Sequence, residues 1–189
     1  LEFRRVLFRS PVSSAVRAGT ATPPPDGERL SALINMAGRQ RMLSQRLVLH
    51  AVLAAQETAP APGQASALSV FRDTLERMAR SHERLAHGSG EWPGAFSEGL
   101  RQVYFAPRNA DARIRDFLGL AQQVCHGLEG RRTNVDATVQ ALVAEASPIL
   151  ELLNELTLAH EAEAALRTRQ ERNRHEELMA RLHAVAREA

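Results

Sequence analysis

Residues 34–47, INMAGRQRMLSQRL, place three arginines, a glycine and small polar residues inside an apolar pattern of helical period. The surrounding span, residues 29–56, contains no acidic residue. Positive charge without a local acid needs either an anion or an acidic side chain from a distant helix. These residues are therefore predicted to form a helix that carries a candidate binding site.

Residues three and four apart share one face of a helix, which assigns each side chain of this segment to a direction. Two adjacent stripes are formed, the first by Ile34, Gly38, Arg41 and Gln45 and the second by Asn35, Arg39, Met42 and Arg46. The core face is predicted to hold Met36, Ala37, Leu43 and Leu47. Arg46 lies about 140° round the helix from Arg41, so we expect Arg46 to pair with an acid of its own protomer.

Gly38 stands one turn before Arg41 in the middle of this predicted helix. A glycine in a helix interior costs about 1 kcal/mol relative to alanine, and it allows another backbone to come close. Gly38 therefore predicts a tight helix crossing beside the guanidinium of Arg41. If the crossing partner is a second copy of the same helix, a twofold axis would bring two Arg41 side chains around one small anion.

The pattern GxxRMxSxR at residues 38–46 resembles the periplasmic motif of nitrate and nitrite sensors of the NarX and NarQ kind. The longer string NMAGRQRMLSQR, residues 35–46, resembles the hallmark of the PilJ-type domain, the N-terminal sensor domain of type IV pili methyl-accepting chemotaxis transducers. Residues 103–121, VYFAPRNADARIRDFLGLA, resemble the middle of the same domain.

This resemblance implies a helical bundle that dimerises through its first helix. It implies that Arg41 holds an anion across the dimer and that Gly38 allows the two helices to approach. The ligand site is assigned to Arg41, Gly38, Asn35 and Ser44, and motif or structural roles to Arg39, Arg46 and Met42. Nitrate is the first expected ligand and nitrite the second. The expected location is the bacterial periplasm, with a membrane-bound signalling partner and helix movement as the output.

Composition favours an all-helical protein, with 44% hydrophobic but only 4% aromatic residues among 189. Every basic residue is arginine, and the formal net charge is only +2, which does not call for a nucleic-acid partner. The single cysteine, Cys125, excludes an intramolecular disulfide and metal sites built on paired cysteines. Cys125 is expected to be a small buried hydrophobic residue.

The predicted fold class is all-α, an up-and-down four-helix bundle with a long C-terminal helix. Residues 1–27 are expected to be a disordered tail and linker, of which 1–10 are excluded as a non-native or fragmentary start. Residues 28–165 are predicted to form the bundle and 166–189 a helical stalk. The longest apolar run, residues 47–55, is far shorter than the about 20 residues that span a bilayer.

Helix boundaries follow from capping residues, glycines and prolines. Asp26 is the expected cap of the first helix, which should end near residue 57, and a second helix should cover about residues 64–87. A short helix is expected over residues 96–105, followed by one capped by Asn109 or Asp111. The last helix should start near Thr133 and be kinked or locally open at Pro148.

Seven histidines raise the question of a metal site, but their spacing fits no helical metal clamp. Solvated helix surface is the expected setting for His82, His87, His160 and His175. We expect no catalytic set, no metal and no cofactor. A ligand-free dimerisation or adaptor module remains an alternative, in which the arginines meet acids of the other helices. Nucleic-acid binding by a basic helix is a weaker one.

Overall fold

The computed structural model describes residues 25–57, 65–130 and 135–188. These residues form six helices, namely α1 (Gly27–Gln56), α2 (Ala67–Ala86), α3 (Glu98–Tyr104), α4 (Ala110–Glu129), α5 (Val135–Ala144) and α6 (Ala146–Glu188). The predicted all-α class is confirmed. Most of the predicted N-terminal tail, residues 1–24, lies outside the described residues.

The bundle is organised around α1, which packs against both α2 and α6. Helix α4 packs against α2 and α5, and the short α3 lies against α6. The core they enclose includes Leu33, Leu47, Phe71, Leu75, Met78, Tyr104, Ile114, Leu142 and Leu153. No helix among the described residues is both long and apolar enough to cross a membrane.

Short polar side chains cap three of the helices. Asp26 Oδ1 accepts a hydrogen bond of 2.9 Å from the Arg29 backbone N–H, which confirms the predicted cap of α1. Of the two residues predicted to cap α4, Asn109 occupies the N-cap position, but it makes no side-chain capping hydrogen bond. Asn109 has a left-handed backbone with φ 53° and its side chain caps nothing, while the Asp111 carboxylate is engaged by side chains of α2 and α4.

The predicted interruption near Pro148 is observed as a break between α5 and α6 at Glu145. Proline has no backbone N–H, so the carbonyl of Ala144 loses its partner four residues ahead and the helix ends there. The expected start near Thr133 lies outside the described residues. Cys125 is buried as predicted, at 5% exposure, and burial raises the pKa of its thiol.

The C-terminal half of α6 leaves the bundle. The last side chain that packs on the bundle is Arg167, whose guanidinium lies 4.7 Å from the centroid of the Phe96 ring and whose Nε is 3.0 Å from Glu163 Oε1. The side chains of residues 168–187 are exposed. A helical extension of the kind predicted for residues 166–189 would have this surface.

Two of the four histidines expected on solvated surface are buried, so that prediction is wrong for His82 and His160, which are 3% and 2% exposed. His82 Nε2 lies 2.8 Å from Asp111 Oδ1, and His160 Nε2 lies 3.1 Å from Tyr104 Oη. These partners satisfy the imidazoles inside the bundle. His87 also contacts Asp111 Oδ1, at 3.0 Å, whereas His175 is exposed as expected.

The pKa values of Asp111 and His160 in this network are both lowered, but for different reasons. Burial alone would raise the pKa of the Asp111 carboxyl, but hydrogen bonds from His82 and His87 outweigh it and hold that pKa below its ordinary value. No carboxylate among the described residues forms an ion pair with His160, and desolvation, which outweighs the charge of Glu163, lowers its pKa from 6.5 to about 4. The folded state therefore keeps His160 neutral at pH values where the unfolded chain protonates it.

The lowered pKa of His160 predicts that the free energy of unfolding depends on pH, and one substitution can test this contribution. A folded-state pKa below the unfolded value leaves full stability above pH 6.5, and stability is then lost progressively as the pH falls towards 4. The loss attributable to His160 is on the order of 3 kcal/mol. Urea unfolding of His160→Gln at pH 7, 5.5 and 4.5 should show a shallower pH dependence than the wild type.

The control is His175→Gln, because His175 is exposed on the extension. That variant should keep the wild-type pH dependence. If His160→Gln and the wild type lost stability in parallel on acidification, His160 would not be the group whose protonation opposes folding.

Candidate functional site

Helix α1 is covered on two sides by α2 and α6, and its third side faces solvent. This side, the outward face of α1, consists of Asn35, Gly38, Met42, Gln45 and Leu49. The spacing of three and four residues repeats as in the contact seam of a coiled coil. Met42 and Leu49 are each 55% exposed and the following Leu53 is 42% exposed, so the described chain leaves an apolar stripe uncovered.

Arg41 lies at the edge of the outward face that borders α6. Its Nη1 donates to Asn154 Oδ1 at 3.1 Å, and its Nε donates to the Gly38 carbonyl at 3.4 Å. Both acceptors are neutral, and no carboxylate among the described residues forms an ion pair with Arg41. The guanidinium is therefore exposed, held in place and not neutralised.

Gly38 leaves open space beside this guanidinium. A Cβ added at Gly38 would meet only the Nη2 of Arg41, at 3.8 Å, which is ordinary contact. No backbone within the described residues comes close to Gly38, so the predicted tight crossing is not made inside the protomer. The space remains free for another molecule.

The other two predicted ligand residues differ in accessibility. Asn35 is exposed on the outward face, one turn before Gly38, and stays a candidate. The assignment of Ser44 to the ligand site is corrected, because Ser44 is 0% exposed. Its Oγ donates to the Arg41 carbonyl at 2.8 Å, so the hydroxyl is already used by the backbone of α1.

Gln40 is a buried polar residue that sequence reasoning missed. It is 2% exposed, and its Nε2 donates to the Met78 carbonyl at 3.1 Å, which ties α1 to α2. Its Oε1 is buried and has no partner. Helical spacing contained the signal, because Gln40 stands three residues from both Ala37 and Leu43 on the predicted core face.

The motif residues Arg39 and Arg46 turn towards α2, and Met42 lies where the outward face borders α2. They line a cavity of about 570 Å³ between α1 and α2. The ion pair expected for Arg46 is not formed with any described residue, so that prediction is corrected. The one acid that lines this cavity is Asp73, and it is not within ion-pair distance of Arg46.

Among the described residues no group of histidine, cysteine and acidic side chains is arranged to hold a metal ion.

Comparison with known families agrees with the motif. Residues 27–103 match the family model PilJ, described as "Type IV pili methyl-accepting chemotaxis transducer N-term". The match spans α1, α2 and most of α3, and the predicted recognition is confirmed for this segment. The second resembling segment, 103–121, lies almost wholly beyond it. No curated protein and no solved structure matches the chain.

Because Arg46 forms no ion pair with any described residue, we predict that this residue contributes little to folding. Arg46→Ala should change the free energy of unfolding by no more than about 0.5 kcal/mol. Gln40→Ala, by contrast, removes a buried hydrogen bond between α1 and α2 and leaves a space where the side chain packed, so it should cost about 1–3 kcal/mol. Urea unfolding of both variants measures the difference. A loss for Arg46→Ala as large as that for Gln40→Ala would show that Arg46 has a structural partner.

Proposed function

We propose that this chain, whose residues 27–103 form a PilJ-type domain, is the ligand-binding sensor domain of a chemotaxis-type receptor. Its ligand is a small inorganic anion, with nitrate preferred and nitrite second. The anion binds between two copies of α1, and the signal leaves by movement of α6. The role is one of binding rather than catalysis, in the bacterial periplasm and in association with a membrane-bound signalling partner.

The observation that carries this proposal is the exposed, unneutralised guanidinium of Arg41 beside the open space at Gly38. Arginine presents a planar fork that matches a planar oxyanion. Nitrate has four heavy atoms, and a ceiling of about 1.5 kcal/mol for each gives about 6 kcal/mol. This corresponds to a dissociation constant on the order of tens of micromolar, a useful range for a sensor.

The outward face of α1 supports a homodimer. Met42, Leu49 and Leu53 expose apolar surface along one line, which a second α1 would cover by coiled-coil contacts. Two copies of Arg41 would then approach a twofold axis, where like charges repel. An anion bound between them removes this repulsion, so ligand binding and dimerisation strengthen each other.

Contacts between α1 and α6 suggest how the signal is passed on. Arg41 donates to Asn154, and Gln45 Nε2 donates to the Ala146 carbonyl at 3.4 Å. Both acceptors belong to α6, which is also the helix that extends beyond the bundle. An anion that draws Arg41 away from Asn154 weakens this link and frees α6 to shift relative to α1.

The alternative is a dimerisation or adaptor module that needs no ligand. The exposed apolar stripe on α1 favours it, because apolar burial alone can hold two helices together. In that case Arg41 would lie at the rim of the interface and contribute little. The effect of nitrate separates the two functions.

Substitution of Arg41 tests the ligand site. Nitrate should raise the melting temperature of the wild type, because a ligand that binds only the folded state stabilises it, and Arg41→Ala should abolish the increase. Arg41→Lys should lose most of it, since an ammonium cannot present the planar fork. Thermal unfolding with nitrate, nitrite, sulfate and chloride at constant ionic strength is the measurement.

Arg172→Ala, on the exposed extension, is the matched control and should respond to nitrate as the wild type does. An unchanged nitrate response in Arg41→Ala would refute the site. A wild type that is stabilised equally by all four anions would favour the ligand-free module.

Substitution of Gly38 tests the dimer without damaging the protomer. An added Cβ at this position makes only an ordinary contact of 3.8 Å with Arg41 Nη2 and improves helix propensity by up to about 1 kcal/mol, so Gly38→Leu should fold at least as stably as the wild type. It should nevertheless fail to dimerise, because the added side chain holds two α1 helices apart. Sedimentation velocity with and without nitrate measures the assembly.

The control is Gly99→Leu on α3, a helical glycine at which an added Cβ would meet nothing within 4 Å. It should keep the wild-type sedimentation. Calorimetry of the wild type should give one nitrate for two chains. A Gly38→Leu protein that still forms a nitrate-dependent dimer would exclude α1 as the interface.

A further inference from the structure

The cavity between α1 and α2 is lined by positive charge that has no role in the proposed nitrate site. Its charged lining consists of Arg39, Arg46, Arg77, Arg80, Arg84 and Asp73. We call this surface the arginine groove. Five guanidiniums thus face one carboxylate, in a space of about 570 Å³.

Few of these arginines have a partner. Arg80 Nη2 is 3.9 Å from Glu76 Oε2 in an exposed pair, which is a weak interaction. Arg84 lies 6.0 Å from the centroid of the Trp92 ring. The other three arginines form no ion pair with the described residues. Like charges gathered in this way repel one another, and a bound anion would relieve that repulsion.

The register of the two helices separates the acidic end of the groove from an acid-free end. The hydrogen bond from Gln40 to the Met78 carbonyl places these two residues at one level. Arg39 then lies level with the α2 segment that holds Arg77 and Arg80. Asp73 lies more than one helical turn away along α2, at the level of Arg46. Positive charge is therefore concentrated around Arg39.

We propose that the arginine groove binds a small organic polyanion with at least two phosphate or carboxylate groups. The cavity volume falls within the about 300–1,000 Å³ of small-molecule sites, and arginine forks match both anionic groups. The floor of the groove is apolar, formed by Leu43 and Val70, and suits a carbon skeleton. The hydroxyl hydrogen of Thr74 is not available to the ligand, because it is donated to the Val70 carbonyl at 2.7 Å.

This site is separate from the proposed nitrate site. Arg41 does not line the groove, and it contacts α6 on the other side of α1. Each protomer contains a complete groove, whereas the nitrate site is completed by two protomers. The polyanion should therefore bind once per chain, and nitrate once per two chains.

Titration calorimetry in about 0.15 M salt tests the groove, with citrate as the polycarboxylate probe and fructose 1,6-bisphosphate as the phosphate probe. At least one of them should bind with a stoichiometry of one per chain. The double variant Arg77→Gln/Arg80→Gln should lose affinity for that probe by at least about tenfold, since it removes two charge-assisted contacts. Glutamine preserves the helix propensity of α2.

The control is Arg169→Gln/Arg172→Gln, which removes the same charge from the exposed extension. Its affinity should change by less than about twofold, because distant charges are screened at this salt concentration. An equal loss in both double variants would show attraction to net charge rather than a site and would overturn the proposal. Absence of binding by both probes would overturn it as well.

Arg41→Ala distinguishes this proposal from the nitrate proposal. That variant should bind the probe with wild-type affinity, since Arg41 lies outside the groove. If the wild type bound the probe but not nitrate, the nitrate site would be refuted and the arginine groove would stand. Loss of probe binding in Arg41→Ala would mean that the two surfaces are one site, and the separate groove would be refuted.

Discussion

Burial of one face of α1 is the constraint on which the rest of the molecule depends. Leu33, Ala37 and Leu47 are almost completely buried, and the buried amide of Gln40 ties the helix to Met78. A helix held in this way has no freedom to rotate, so its period of 3.6 residues assigns a direction to every arginine. Arg41 must face α6, and Arg39 must face α2.

This division places two different arginine surfaces on opposite sides of one helix, and each is proposed to bind a different kind of anion. On the α6 side a single guanidinium is held by neutral oxygens and suits a monovalent anion shared between protomers. On the α2 side several guanidiniums converge on a cavity with one carboxylate and suit a polyvalent anion. Both surfaces exist because α1 contains no acid in residues 29–56, so its arginines are not neutralised from within their own helix.

A second polar layer lies inside the bundle, where α2, α3, α4 and α6 meet. Asp111 gathers His82, His87 and Arg115, and Tyr104 pairs with His160 of α6. The carboxylate of Asp111 is favoured by its donors, whereas His160 is favoured as a neutral ring. This layer links the helix proposed to transmit the signal to the rest of the bundle through a buried histidine that is favoured as the neutral ring.

The sequence by itself determined the helical class, the cap at Asp26, the break before Pro148 and the motif around Arg41, because caps, prolines and helical periodicity act over a few residues. His82 stands one turn after Met78 on the buried face of α2, and the prediction of a solvated His82 overlooked this helical spacing. Only the tertiary structure decided that His82 and His160 have buried partners, that Ser44 is buried, and that Arg46 forms no ion pair with the described residues. Those outcomes depend on which side chains of distant helices come into contact, and no local sequence pattern specifies these contacts.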